Sequence, residues 1–132
     1  MATRTIRQTA LVRGATTADI YATLMDGERH GALSGQPAKV SSRVGGKWNV
    51  GHDLEGKQLK LVKDKRIVQT WRANNWPKTN LSKVTFKLTR TAVGTRIELT
   101  QTGVPSQFYK EISAGWRAYY WKPLRSRFAK AR

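Results

Sequence analysis

At 132 residues the chain is long enough for one domain with a core of its own. It contains no cysteine, which excludes disulfides, thiolate metal ligands and a cysteine nucleophile. Its 25 lysines and arginines against 8 acidic residues leave a net charge of +17, which would attract nucleic acid, anionic lipid or an acidic protein.

Residues 5–13 are expected to form a strand with Ile6, Gln8, Ala10 and Val12 on one face. Gly14 and Ala15 end it. Thr16 or Thr17 then caps a short helix with Ile20, Tyr21 and Leu24 as its buried stripe. A second short helix is expected over 26–33, weakened by Gly27 and Gly31. Strands follow. Residues 38–43 form a short one, and Val44-Gly45-Gly46 marks a turn or bulge. Residues 47–51 place Trp48 and Val50 on one face. In 55–62, Leu59 and Leu61 share a parity, and Lys63-Asp64-Lys65 is a polar turn. Residues 66–73 put Ile67, Gln69 and Trp71 together, and 74–79 is expected to be a loop. Residues 81–90 alternate cleanly, with Val84, Phe86 and Leu88 inward. Gly94 turns the chain, and 96–101 carries Ile97 and Leu99 inward.

Residues 104–129 read as one long helix entered through Pro105 and Ser106. Phe108, Ile112, Trp116, Tyr120, Leu124 and Phe128 recur every four residues, and Tyr119 widens the stripe. Lys110, Glu111, Arg117, Lys122 and Arg125 take the other side. Gly115 either leaves room for a ligand or is covered by a bulky neighbour. Pro123 is expected to bend the helix near residues 119–122, because it removes a backbone donor and crowds the preceding turn.

The order is therefore a strand, two short helices, about six antiparallel strands and a long helix. Short connections favour a meander, and clean alternation leaves one sheet face in water. The long helix must cover the other face. The expectation is a single α+β domain over 1–132. The charge is uneven: residues 1–66 hold 12 basic and 6 acidic side chains, residues 67–132 hold 13 and 2. The first thirteen residues contain no apolar run resembling a leader, and no segment approaches the roughly 20 apolar residues of a membrane span. A cytoplasmic monomer is the expected state.

Five short motifs, Val44-Gly45-Gly46-Lys47-Trp48, Ile67 to Arg72, Trp76-Pro77, Leu99 to Pro105 and Trp116 to Tyr120, occur in an order that resembles the C-terminal domain of the activator of the heat-shock-protein-90 ATPase. The resemblance runs from about Ile6 to Phe128. It implies a helix-grip fold (START-like, birch-pollen-allergen-like), in which a curved antiparallel sheet wraps a long C-terminal helix. It also implies a non-enzymatic co-chaperone module that touches the heat-shock-protein-90 chaperone and favours the closed state of its ATPase. Whole activators of this kind carry a separate N-terminal domain with the main chaperone contacts, whereas this chain starts directly at the helix-grip domain. Its basic tail, 125–132, also departs from the family's usual ending.

Catalytic signals are weak. His30 and His52 lack metal-ligand spacing and are expected at the surface. No nucleophile elbow, phosphate loop or dinucleotide fingerprint is present, so neither an enzyme nor a cofactor is expected. The aromatic set is the stronger signal. Trp48, Trp71, Phe86 and Leu99 from the sheet should meet Ile112, Trp116, Tyr119 and Tyr120 from the helix. With Gln69 they form either a filled core or the lining of a cavity for a small hydrophobic ligand. Trp76, in a loop beside Arg72 and Lys78, is either an exposed partner hot spot or a plug at one end of the sheet. Lys110, Arg117, Lys122 and Arg125 form a second candidate partner face. Nucleic acid is a weaker expectation, because most aromatics lie on the buried parity and are withheld from base stacking.

Overall fold

The computed structural model describes residues 2–129. Seven antiparallel strands form one sheet: β1 (Thr3–Arg13), β2 (Ala38–Val40), β3 (Lys47–Val50), β4 (Leu54–Val62), β5 (Arg66–Ala73), β6 (Ser82–Arg90) and β7 (Gly94–Pro105). Their spatial order is β1-β7-β6-β5-β4-β3-β2, so β2 to β7 make a meander and β1 closes on β7. Helices α1 (Thr17–Met25) and α2 (Gly27–Ser34) sit between β1 and β2. The C-terminal helix packs on the inward face of the sheet, giving the helix-grip architecture.

Local chemistry explains the elements. Thr16 and Asp19 form a reciprocal capping box on α1, and the Asp26 carboxylate accepts from the Arg29 N–H to start α2. Gly27 and Gly31 do not weaken α2; they let it touch the chain that follows. A Cβ at Gly27 would stand 2.7 Å from the Ala38 carbonyl oxygen, and one at Gly31 would stand 2.8 Å from that of Gln36. This close approach draws His30 inward, against the expectation of a surface position.

The inward parities of β5, β6 and β7 are as the alternation predicts, with Ile67, Trp71, Val84, Phe86, Ile97 and Leu99 buried. Strand β4 differs. Its pairing with β5 slips between Gln58 and Lys60, so Gln58 is completely buried and Leu59 is 45% exposed. The bulge inserts one residue and reverses the parity beyond it. Strand β7 also runs to Pro105, and the helix begins only at Ser106. Pro105 ends the strand instead of opening the helix.

The C-terminal helix has three parts: α3 (Tyr109–Trp116) after a short 3-10 turn, a π-helical turn (Arg117–Trp121), and α4 (Lys122–Ala129). The Lys122 N–H bonds back five residues to the Arg117 carbonyl. The predicted disturbance ahead of Pro123 thus takes the form of a widened turn. It faces two consecutive aromatics, Tyr120 and Trp121, into the core. The four-residue stripe had no place for Trp121.

Candidate functional site

An open cleft of about 310 Å3 lies between α3, the π turn, the end of α2 and strands β3 to β5. Its apolar walls come from Val50, Leu54, Trp71, Ile112, Trp116 and Tyr120. Ser34, Gln36, Asp53, Asn74, Asn75 and Glu111 supply polar rim atoms, and Tyr119 stands over the mouth, 59% exposed. Gly115 also lines it. A Cβ there would meet only the Tyr119 ring, at 3.9 Å, so no bulky neighbour covers this glycine.

Of the nine expected lining residues, the structure brings Trp71, Ile112, Trp116, Tyr119 and Tyr120 to the cleft. Trp48, Gln69, Phe86 and Leu99 are buried but belong to the packed core behind and beside it. Trp48 donates its indole N–H to the Thr70 carbonyl at 3.0 Å. Phe86 meets Trp116 edge-on, with ring centroids 5.6 Å apart. Both arrangements occur: Trp48, Gln69, Phe86 and Leu99 are packed in the core, and Trp71, Ile112, Trp116, Tyr119 and Tyr120 line the open cleft.

Buried polar groups are organised into three short chains. The Trp116 indole donates to Gln101 Oε1 at 2.8 Å, Gln101 Nε2 donates to Ser82 Oγ at 3.0 Å, and Ser82 donates to the Trp71 carbonyl at 2.7 Å. Gln69 Nε2 donates to Gln58 Oε1 at 3.0 Å, and Gln58 donates to the Ser41 carbonyl at 3.1 Å. His30 Nδ1 lies 3.0 Å from the Leu24 carbonyl and Nε2 lies 2.7 Å from the Tyr120 hydroxyl. A carbonyl only accepts, so Nδ1 carries the proton, and Nε2 accepts from Tyr120. Burial pushes the His30 pKa below its ordinary value, partly opposed by the Leu24 bond, and pushes that of Tyr120 up. The histidine is neutral and structural. His52 is exposed, as expected.

Trp71 lines the cleft with its ring, and its indole N–H is buried away from it without a hydrogen-bond partner, as are the Trp76 indole N–H and the Ser113 hydroxyl. Trp76 is not an exposed hot spot. It is 3% exposed, packs at 5.3 Å on Trp71 and stacks on Phe108 at 6.2 Å, plugging one end of the sheet. Arg72 is engaged too, donating to the Trp76 and Pro77 carbonyls and lying 3.9 Å from Glu55. Lys78, Lys110, Arg117, Lys122 and Arg125 are exposed, and Arg125 Nε donates to the Leu11 carbonyl at 3.2 Å. Among the described residues no group of three or more His, Asp or Glu side chains could hold a metal ion. No described helix is long and apolar enough to cross a membrane.

The model of the family described as "Activator of Hsp90 ATPase homolog 1-like protein" matches residues 14–129. The chain belongs to this family. An uncharacterised Schizosaccharomyces pombe protein is 31% identical over 83% of the chain and 33% of its own length. The Homo sapiens activator of 90 kDa heat shock protein ATPase homolog 1 is 25% identical over the same shares. The chain thus spans about a third of these family members. The crystal structure of an HSP90 activator from Plasmodium falciparum shares the fold with a TM-score of 0.78 at 21% identity, over 88% of this chain and 89% of that one. A Mesorhizobium loti protein overlays with a TM-score of 0.84 at 20% identity, over 98% and 99%. The family takes its description from activation of an ATPase, an activity that resides in the chaperone.

Proposed function

We propose that the chain is a non-enzymatic co-chaperone module that contacts a heat-shock-protein-90-type chaperone and favours the closed state of its ATPase. Membership of the activator family carries this reading. The surface supports it. Tyr119 is the large aromatic left exposed among the described residues, at the mouth of the cleft. Aromatic anchors ringed by polar side chains are the usual centres of protein contacts. Lys110, Arg117, Lys122, Arg125 and Lys78 are exposed cations elsewhere on the surface, which steer encounter with an acidic chaperone surface more than they set final affinity. The module works as a cytoplasmic monomer. The test is turnover of the cognate chaperone ATPase with and without this protein, at low and near-physiological salt. Stimulation that Tyr119→Ala reduces about tenfold or more in apparent affinity supports the reading. No change in turnover, and no shift in the chaperone's spectra on mixing, removes it.

One observation favours a second reading, a small hydrophobic ligand in the cleft. The cleft is open above Gly115, where a Cβ would meet only the Tyr119 ring, and its walls are mostly apolar. A volume of about 310 Å3 is at the small end of the ligand-pocket range. Quenching or shift of tryptophan emission by a panel of small apolar compounds, abolished by Gly115→Leu, supports it. Saturating additions that leave emission unchanged refute it.

A further inference from the structure

The sheet face turned away from the C-terminal helix is charged in rows. Lys47 pairs directly with Lys57 across β3 and β4. The Lys57 N–H bonds to Thr70 Oγ1, Thr70 stands opposite Lys83, and Lys83 stands opposite Thr102. One lateral row thus holds three lysines and two threonines. Four residues along β6 a second row places Arg66 opposite Lys87 and Lys87 opposite Glu98. Between the rows run Lys60, Val68, Thr85, Thr100 and Arg7, charged at the ends and neutral in the middle. Lys47, Lys57, Lys83 and Lys87 are exposed, and Arg66 is half-buried.

Folding does not call for this pattern. Like charges directly opposite on antiparallel strands are destabilising, and this face has two such pairs, Lys47 with Lys57 and Arg66 with Lys87. Each acid on or beside this face already has a cation: Glu98 lies 4.0 Å from Lys87 within the second row, and Glu55 lies 3.9 Å from Arg72. The first row has no acid of its own. The occupant is therefore an anion with many charges. A protein partner would want an apolar centre depleted in lysine. Here the large apolar side chains exposed on or beside these strands are Leu59, on the β4 bulge, and Val44, Leu81 and Val93, in the connections, and none of them lies in the rows. Nucleic-acid interfaces are polar and strongly positive instead. The face carries no exposed aromatic to stack on unpaired bases, which disfavours single strands. Four residues of strand separate the rows by about 13 Å, close to the roughly 12 Å width of the duplex major groove. The three-lysine row and, at that spacing, a second row of net charge +1 (Arg66, Lys87 and Glu98) fit the two phosphate lines flanking a groove, with threonine hydroxyls over the groove itself.

We propose that this outer sheet face binds the sugar–phosphate backbone of double-stranded nucleic acid without reading its sequence. The test is fluorescence anisotropy of a labelled random-sequence duplex across a salt series, with wild type and two triple variants of equal charge loss. K57Q/K83Q/K87Q removes the rows; K110Q/R117Q/K122Q removes the helix side. The first is expected to weaken duplex binding about tenfold or more near 100 mM salt and to reduce the log–log salt slope by about 2–3. The second should change affinity by about twofold or less, since exposed charges more than a Debye length away are screened. Equal losses in both variants, or no duplex binding at that salt, overturn the proposal. So does stronger binding of single strands, phosphatidylserine vesicles or an acidic peptide at matched charge concentration. Circular dichroism and thermal melting establish that both variants are folded. Chaperone turnover is a separate readout, so this proposal and the co-chaperone reading fail independently.

Discussion

Tyr120→Phe tests the buried pair that ties α2 to the C-terminal helix. The substitution keeps the ring and its packing on Trp116, 4.6 Å away between centroids, and deletes the hydroxyl that donates to His30 Nε2. A net hydrogen bond is worth about 1 kcal/mol, and a buried acceptor left without a partner adds about 1–3 kcal/mol, so a loss near 2 kcal/mol is expected. For a chain of this length that corresponds to a fall of roughly 6–10 °C in Tm. Thermal or urea melts at pH 7.5 measure it. The pH dependence makes the test specific. Burial lowers the folded-state pKa of His30 beneath the unfolded value near 6.5, so the unfolded chain takes up the proton first. Stability is present in full above about pH 6.5, falls as pH drops from there, and levels off below the folded-state pKa. His30→Phe, which cannot titrate, should be less stable than wild type at neutral pH yet lose less on going from pH 6.5 to 5. Tyr120→Phe weakens the support for the neutral ring and should also flatten the acid limb. A Tyr120→Phe loss under about 0.5 kcal/mol, or a His30→Phe acid limb as steep as wild type, would refute the reasoning.

Three further outcomes are expected. Gly115→Ala fills open space on a helix and should stabilise by about 0.5–1 kcal/mol in urea melts, whereas a covered glycine would give a loss. Gln101→Leu should cost about 2–3 kcal/mol, because the Trp116 indole N–H and Ser82 lose their partner inside the core; a double-mutant cycle with Ser82→Ala should show coupling of about 0.5 kcal/mol or more. Leu59→Thr on the exposed bulge should change stability by less than about 0.5 kcal/mol, and a cost above about 2 kcal/mol would mean that Leu59 is a core residue after all.

Much of the fold was legible because β5, β6 and β7 follow their two-residue period without interruption, and the helix stripe recurs every four residues. Where the period breaks, sequence reading fails for definable reasons. The β4 bulge exchanges the roles of Gln58 and Leu59, and nothing in the local pattern marks its place, although a glutamine paired with another buried glutamine is the kind of trace it leaves. The neighbours of Trp76 left open whether it was exposed or a plug, because the Phe108 ring that covers it arrives from thirty-two residues away. Gly27 and Gly31, read as defects, are a four-residue pair on one helical face. That spacing was the available sign of close packing, and with it of the burial of His30. For the cleft, the helix side was legible in Ile112, Trp116, Tyr119 and Tyr120. The rim from α2 and from the β3–β4 connection depends on chain crossings that periodicity does not encode.

The widened turn at Arg117–Trp121 uncouples the two ends of the C-terminal helix in rotation. The turn takes up one extra residue: deleting one residue from it would restore regular winding and leave Leu124 facing the sheet, whereas regular winding with every residue kept would turn α4 by about 100° and carry Leu124 off it. Gln8 of β1 locks the setting from below: its amide nitrogen holds the Ser113 carbonyl at 3.0 Å and its oxygen holds the Trp121 indole at 2.6 Å, one on each side of the turn's start. The helix thus behaves as two dials on one shaft. The α3 dial faces the cleft and the α4 dial faces β1, and Gln8 together with the packing of Trp116 on Tyr120 and Trp121 holds the two settings to each other.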